Sequence, residues 1–152
     1  MDVTVENTDH LDGVVSAPPS KAFTHRMLIA ASLSNGTSKI FNPLISDDTQ
    51  ATLEAVRALG AETELHENYW IIHGQETLKT PERPIDCRES GSTLRFMIPV
   101  AALVSGPSTF VFGGSFDRRP VAPLLESLKE LGVESNVQRN GSCKRLLSFV
   151  DS

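Results

Sequence analysis

The sequence has few cysteines and no histidines at the spacing of a metal site. Its 152 residues include two cysteines, Cys87 and Cys143, and four histidines. Two cysteines are too few for a disulfide-rich secreted domain, and their separation does not match that of metal ligands. From these absences we expect a cytoplasmic protein with no metal and no cofactor.

A positive net charge and long apolar runs are absent as well. The formal net charge is −5, which excludes a general electrostatic attraction to nucleic acid or to an anionic membrane. The longest apolar run, residues 96–104, is interrupted by Pro99 and is too short to cross a bilayer. We expect a soluble protein without nucleic-acid or membrane partners, and its oligomeric state stays open.

The composition that remains is that of a globular α/β (α+β) domain. Hydrophobic residues make up 39% of the chain and charged residues 22%. Hydrophobic periodicity predicts helices over residues 21–33, 49–59, 92–104 and 120–131, and strands over residues 37–41, 63–65, 69–73 and 109–112.

These elements recur at a nearly constant spacing. Three pairs of landmarks lie 69, 70 and 72 residues apart, namely Arg26 and Arg95, Gly36 and Gly106, and Leu59 and Leu131. The spacing predicts two copies of a helix–strand–helix–hairpin unit. The second hairpin would turn at Asn140–Gly141, although residues 142–152 show no clear strand alternation.

The first helix has Ser20 as its expected N-cap. Its apolar spacing predicts a buried stripe that contains Phe23, Met27, Ala30 and Ala31. The histidines have no partners nearby in sequence, and we expect them on the surface or in strands.

Cations stand at two of the predicted helix starts. Lys21 lies in the first turn of the first helix, and Arg118–Arg119 precede Pro120 of the last. A cation beside the positive end of a helix is unfavourable by about 0.3–1 kcal/mol, and a bound anion reverses the sign. Residues 90–93, with Gly91, open a third helix and allow close approach of a ligand. These features indicate an anion-binding face or, alternatively, solvated surface cations.

Other candidate groups have simpler readings. Asp47–Asp48 are expected to complement the start of the second helix, with an acid/base pair as the alternative. Cys87 is expected to be a small semi-buried residue, since no histidine lies near enough in sequence to activate it as a nucleophile. The GxxxxGK[ST] spacing of a phosphate-binding loop is absent.

Four segments in order resemble those of one family, the EPSP synthases (3-phosphoshikimate 1-carboxyvinyltransferases). They are APPSKAFTHR at residues 17–26, NPLISDDT at 42–49, ESGSTLRF at 89–96 and SFDRRPVAPLL at 115–125. Two positions depart from the family pattern: Ala22 stands where a serine is usual, and Glu89 where many members have asparagine.

The resemblance implies a fold and an activity. It implies two domains, each with three βαβαββ units of the enolpyruvyl transferase inverse-barrel type. This chain would hold about two units over residues 14–152, and residues 1–13 would belong to the other domain. The implied reaction transfers the enolpyruvyl group of phosphoenolpyruvate to shikimate 3-phosphate.

The resemblance also assigns roles to particular residues. Lys21 would contact both substrates and Arg26 the shikimate substrate, while Gly91 and Arg119 would line the phosphoenolpyruvate site. The acid/base groups would lie in a part that this chain does not contain, so we expect it to be inactive alone. The alternatives are a non-catalytic anion-binding half-domain and the sister transferase that acts on UDP-N-acetylglucosamine.

Overall fold

The computed structural model describes residues 2–113, 121–139 and 145–150, which form four helices and seven strands. In chain order they are α1 (Lys21–Leu33), β1 (Gly36–Phe41), α2 (Asp47–Ala58), β2 (Glu62–Leu65), β3 (Tyr69–Gly74), β4 (Ile85–Asp86), α3 (Gly91–Ala101), β5 (Ser108–Phe112), α4 (Ala122–Glu130), β6 (Glu134–Arg139) and β7 (Arg145–Val150). Among these helices, none is long and apolar enough to cross a membrane.

The two predicted repeat units are confirmed by the strand order of two sheets. The first sheet has the order β1-β3-β2 with antiparallel neighbours. The second has the order β4-β5-β7-β6, in which β5, β7 and β6 repeat the arrangement of β1, β3 and β2. The second unit is therefore a complete βαβαββ unit, while residues 2–18 carry no strand that would correspond to β4.

The last strand completes the second hairpin that the repeat predicts, although its own sequence gives no clear strand signal. Residues 145–150 lack clear alternation, but they form β7, which pairs with β5 on one side and with β6 on the other. A strand between two others is satisfied along both edges by main-chain hydrogen bonds, so its pairing does not depend on a polar–apolar pattern. The predicted turn at Asn140–Gly141 lies outside the described residues.

The fourth helix begins later than predicted. It starts at Ala122, with Val121 as its N-cap, and the proline in its first turn is Pro123. The predicted start at Arg119–Pro120 lies outside the described residues, and the described helix begins two residues after Pro120. A proline suits several positions near a helix start, so its presence does not fix the first residue.

The buried face of α1 also differs from the prediction. Phe23 and Met27 are 70% and 49% exposed, and Ala30 is exposed too, whereas Ala31 is buried as predicted. The face that packs on the rest of the protein contains Thr24, His25, Leu28, Ala31 and Ser32. Both faces of the helix carry apolar residues, so spacing alone did not distinguish them.

The core lies where α1, α2 and α3 pack together and against the sheets. Its largest fully buried apolar side chains come from both units: Leu28, Leu53, Leu59, Trp70, Ile72, Leu94, Met97, Ile98 and Phe110. The helices and strands of the two units therefore share one continuous hydrophobic cluster.

We expect Gly74 to be required where β3 passes the end of α1. A Cβ atom at this position would collide with the main-chain oxygens of Ala31 and Ser34, which cannot move without distorting the helix end. Gly74→Ala should lower the free energy of unfolding by about 1–3 kcal/mol in urea denaturation, as overpacking does. Glu62→Ala, an exposed position in the same sheet, should change it by less than about 0.5 kcal/mol. Equal stability of the two variants would contradict the prediction.

Candidate functional site

The first three helices begin at the same end of the molecule, and each has a serine N-cap. The side chains of Ser20, Ser46 and Ser90 each accept a hydrogen bond from the main-chain N–H three residues later. Successive contacts join Lys21 to Asp48 and His25 to Thr52, so α1 and α2 run in the same direction. These shared starts bring three sets of incompletely paired N–H groups to one end of the protein.

Lys21 forms the ion pair that links the starts of α1 and α2. Its Nζ lies 2.7 Å from Oδ2 of Asp48, and the two side chains are 52% and 30% exposed. Ser46 is the N-cap of α2, in a capping box with Thr49, and Asp47 and Asp48 occupy the first helical turn. Asp48 therefore complements the helix start, as predicted, and it also neutralises a cation at the start of the neighbouring helix.

Arg26 links α1 to α3. Its Nη1 donates to the main-chain oxygen of Ala22 at 2.9 Å, and its guanidinium carbon lies 5.3 Å from the centroid of the Phe96 ring. The residue is exposed. An arginine held over an aromatic face keeps its remaining N–H groups available to an anion.

Gly91 is the first residue of α3 and is buried directly after the Ser90 N-cap. The Ser90 hydroxyl accepts from the main-chain N–H of Thr93 at 3.2 Å. The contacts of Thr93 with Asp48 and of Phe96 with Arg26 connect this helix start to Lys21 and Arg26. Three of the four predicted site residues are thus linked at one end of the molecule, while Arg119 lies outside the described residues.

Arg88 adds a cation that the sequence analysis did not single out. Its Nη1 lies 3.4 Å from both the main-chain oxygen and Oδ1 of Asp47, and its φ of 51° turns the chain immediately before α3. A lone arginine in a loop carries no periodic signal. What places it beside α2 is this turn, in which its main-chain N–H donates to Oδ1 of Asp86 at 2.8 Å.

His25 was expected on the surface or in a strand, and this is wrong. It lies in α1, is 1% exposed, and its Nδ1 is 2.6 Å from the Thr52 hydroxyl. Burial lowers the pKa of His25, the charges of Lys21 and Arg26 add to the lowering, and Asp48 opposes it. The imidazole is therefore neutral at neutral pH. Thr24 and His25 lie four and three residues before Leu28, so their spacing could have indicated that the buried face of α1 contains both polar and apolar side chains.

His66 and His73 lie on the hairpin that β2 and β3 form. Nε2 of His73 is 2.9 Å from Glu64, and Nε2 of His66 is 3.8 Å from the same carboxylate. The hydrogen bond from His73 holds the pKa of Glu64 below its usual range. Across the described ranges, no group of three or more histidine, cysteine or acidic side chains is arranged to hold a metal ion.

Cys87 is fully buried rather than semi-buried. Burial, with a smaller effect of Asp86, raises the pKa of its thiol to about 12. A thiol with so high a pKa is protonated at neutral pH and is a poor nucleophile.

Comparison with solved structures defines the class of fold. Two structures of EPSP synthase from Acinetobacter baumannii match 92% of this chain with TM-scores of 0.79 and 0.81, at 24% and 22% identity. The matched part is 32% of each of those chains. The architecture is therefore that of the enolpyruvyl transferase fold, as predicted.

The sequence comparisons identify the family. The family model of EPSP synthase (3-phosphoshikimate 1-carboxyvinyltransferase) matches residues 5–147. A 3-phosphoshikimate 1-carboxyvinyltransferase of Methanococcus maripaludis is 42% identical over 142 residues, and one of Methanocaldococcus jannaschii is 43% identical over 134 residues. These matches cover 92% and 86% of this chain but 33% and 31% of the relatives. The chain belongs to the EPSP synthase family and spans about a third of the length of these relatives.

We expect the buried His25 to make the stability of the protein depend on pH. The pKa of His25 in the folded protein lies below the unfolded value of 6.5. Above pH 6.5 the imidazole is mainly neutral in both states, so its protonation does not lower the free energy of unfolding. Below that pH the unfolded chain takes up a proton that the folded protein does not, and stability falls by at most about 1.4 kcal/mol per pH unit until the folded pKa is reached.

The measurement is urea denaturation at pH 7.5 and pH 5.5 on the unchanged chain and on His25→Asn. All other side chains are the same in both proteins, so the comparison isolates the effect of residue 25. The loss of stability on acidification should be smaller in His25→Asn. An equal loss in both proteins would show that His25 does not cause it.

Proposed function

We propose that this chain supplies part of the substrate site of a 3-phosphoshikimate 1-carboxyvinyltransferase. The reaction transfers the enolpyruvyl group of phosphoenolpyruvate to the 5-hydroxyl of shikimate 3-phosphate and releases phosphate. The observation that supports this most is the arrangement of Lys21, Arg26 and Gly91 around the common start of α1 and α3. This proposal concerns the whole enzyme, of which the chain matches about a third.

The chemistry explains why cations at helix starts suit this reaction. The hydroxyl adds to C2 of phosphoenolpyruvate and loses its proton while C3 is protonated. The tetrahedral intermediate then loses phosphate from C2 and a proton from C3, which restores the enolpyruvyl double bond. Both substrates carry several negative charges, so they repel each other unless fixed cations and N–H groups surround them. Positive groups that are already oriented lower this repulsion and hold the reacting atoms together.

Each predicted residue has a role in this proposal. Lys21 would exchange its present partner, the Asp48 carboxylate, for anionic groups of both substrates. Arg26 would bind shikimate 3-phosphate with the guanidinium N–H groups that its contact with Ala22 leaves available. Gly91 would let phosphoenolpyruvate approach the start of α3, where a Cβ atom would add bulk. Arg119 is retained as a further predicted ligand of phosphoenolpyruvate.

The domain assignment remains part of the proposal. Residues 14–152 would form about two units of a larger domain, and residues 1–13 would belong to a second one. Two observations support it: the first unit has no counterpart of β4 among the described residues, and Phe23 and Met27 are exposed on α1. The small anionic substrates are the proposed partners. The cytoplasmic location stays a prediction from the cysteine content.

We expect weak binding of shikimate 3-phosphate to the 152-residue chain, measurable by isothermal titration calorimetry. Lys21→Ala and Arg26→Ala should each weaken it by about tenfold or more, since each removes a charged hydrogen-bond donor. Raising the salt concentration should weaken it further. The matched control is Lys39→Ala, because Lys39 contacts the Tyr69 ring in the first sheet rather than the helix starts. Equal affinity of all three variants would remove Lys21 and Arg26 from the site.

The reaction itself is tested with a chimera. The chain is joined to the part of the Methanococcus maripaludis relative that follows the matched segment, and phosphate release is assayed with both substrates. We expect release that requires both substrates and falls at least about tenfold in Lys21→Ala. A folded chimera that binds shikimate 3-phosphate without releasing phosphate would favour the alternative, a non-catalytic anion-binding half-domain.

A further inference from the structure

A continuous chain of buried polar side chains joins α1 to α3 through α2. The Thr52 hydroxyl lies 2.6 Å from Nδ1 of His25 and 2.7 Å from the Thr93 hydroxyl. The Thr93 hydroxyl lies a further 2.7 Å from that of Ser90, the N-cap of α3. These four residues are 0–2% exposed, so they hydrogen-bond to one another in a part of the protein that excludes bulk water.

This series of polar contacts reaches the proposed substrate site. The Thr93 hydroxyl also lies 3.1 Å from the main-chain oxygen of Asp48, whose carboxylate binds Lys21. His25 follows Lys21 by one helical turn and directly precedes Arg26. The polar contacts therefore run from the helix that carries Lys21 and Arg26 to Ser90, the residue directly before Gly91.

Hydrogen bonds between hydroxyl groups constrain geometry more than apolar contacts do. Each hydroxyl has one proton, so Thr52 donates to one of its neighbours and accepts from another. A rotation or slide of one helix by even 1 Å would leave a buried polar group unpaired, which costs more than a comparable shift between apolar side chains. A Val–Leu contact in the same place would tolerate such a movement.

We propose that the chain of His25, Thr52 and Thr93 positions the start of α3 relative to Lys21 and Arg26. The consequence for substrate affinity rests on the proposed function, whereas the position of α3 can be measured without substrate. In this role Thr52 and His25 touch no substrate and act through the residues that do.

The first test replaces the hydroxyl of Thr52. Thr52→Val keeps the volume and removes the hydroxyl, while Thr52→Ser keeps it. The matched control is Thr63→Val, which removes a hydroxyl that accepts from Nε of Arg57 at 2.7 Å, away from the helix starts. Main-chain N–H residual dipolar couplings of residues 91–94, measured relative to those of residues 22–32, report the orientation of α3 against α1.

We expect Thr52→Val to change these couplings and to weaken shikimate 3-phosphate binding by about tenfold, measured where circular dichroism shows a fully folded protein. Thr52→Ser and Thr63→Val should keep both the couplings and, to within about threefold, the affinity. Unchanged couplings in Thr52→Val would overturn the proposal, whatever happens to the affinity or to the free energy of unfolding.

The second test uses the two nitrogens of His25. The side-chain amide of asparagine can occupy the position of Nδ1, which contacts Thr52. The side-chain amide of glutamine can occupy the position of Nε2, which has no hydrogen-bond partner among the described residues. His25→Asn should retain the couplings of residues 91–94, and His25→Gln should change them. The opposite order, or no difference between the two, would contradict a role through Nδ1.

These measurements separate the two proposals. If the unchanged chain does not bind shikimate 3-phosphate, the proposed substrate site fails, and the couplings still decide whether the polar chain positions α3. If it binds and Thr52→Val alters the affinity without altering the couplings, the site stands and the positioning role is rejected.

Discussion

The hydroxyl of Thr52 carries a single proton and lies within hydrogen-bonding distance of groups on both neighbouring helices. His25 on one side and Thr93 on the other are 2.6 and 2.7 Å away, and all three side chains are buried. Because buried polar groups are costly when unpaired, α1, α2 and α3 are held in register at this point. The same register brings the serine caps of the three helices to one end of the protein, beside Lys21, Asp48 and Arg26.

The repeat explains why cations and helix starts meet there. α1 and α3 are the first helices of the two units, and each is followed by a strand that pairs with the second strand of the hairpin in the same unit. With the 69-residue offset that relates Arg26 to Arg95, buried Thr24 of α1 corresponds to buried Thr93 of α3, whereas buried His25 corresponds to Leu94 and has diverged. In the proposed substrate site, the first unit would thus supply the charged groups of Lys21 and Arg26, and the second unit would supply Gly91 at the start of α3.

Local sequence signals predicted most of the elements but not the contacts between them. Hydrophobic periodicity placed α1, α2 and α3 to within three residues, and it also found β1, β2, β3 and β5. The buried side of α1 was missed because both of its faces carry apolar residues, and because Thr52, the partner of buried His25, is 27 residues away on another helix. The Lys21–Asp48 pair has the same separation, so charge placement indicated an anion-binding face without revealing the internal partner. β7 forms without a clear alternation of polar and apolar residues, because its main chain pairs with β5 on one side and with β6 on the other.

Cys87 lies three residues before the cap of α3, fully buried and with a thiol pKa of about 12. In the closed fold such a sulfur is both shielded and protonated, so alkylating reagents can reach a reactive thiolate only when this region opens. With Cys143 replaced by serine, the rate of alkylation would therefore report how often the junction of the three helices separates. Cys87 is therefore a native probe of local unfolding beside the start of α3, where the three helices contact one another.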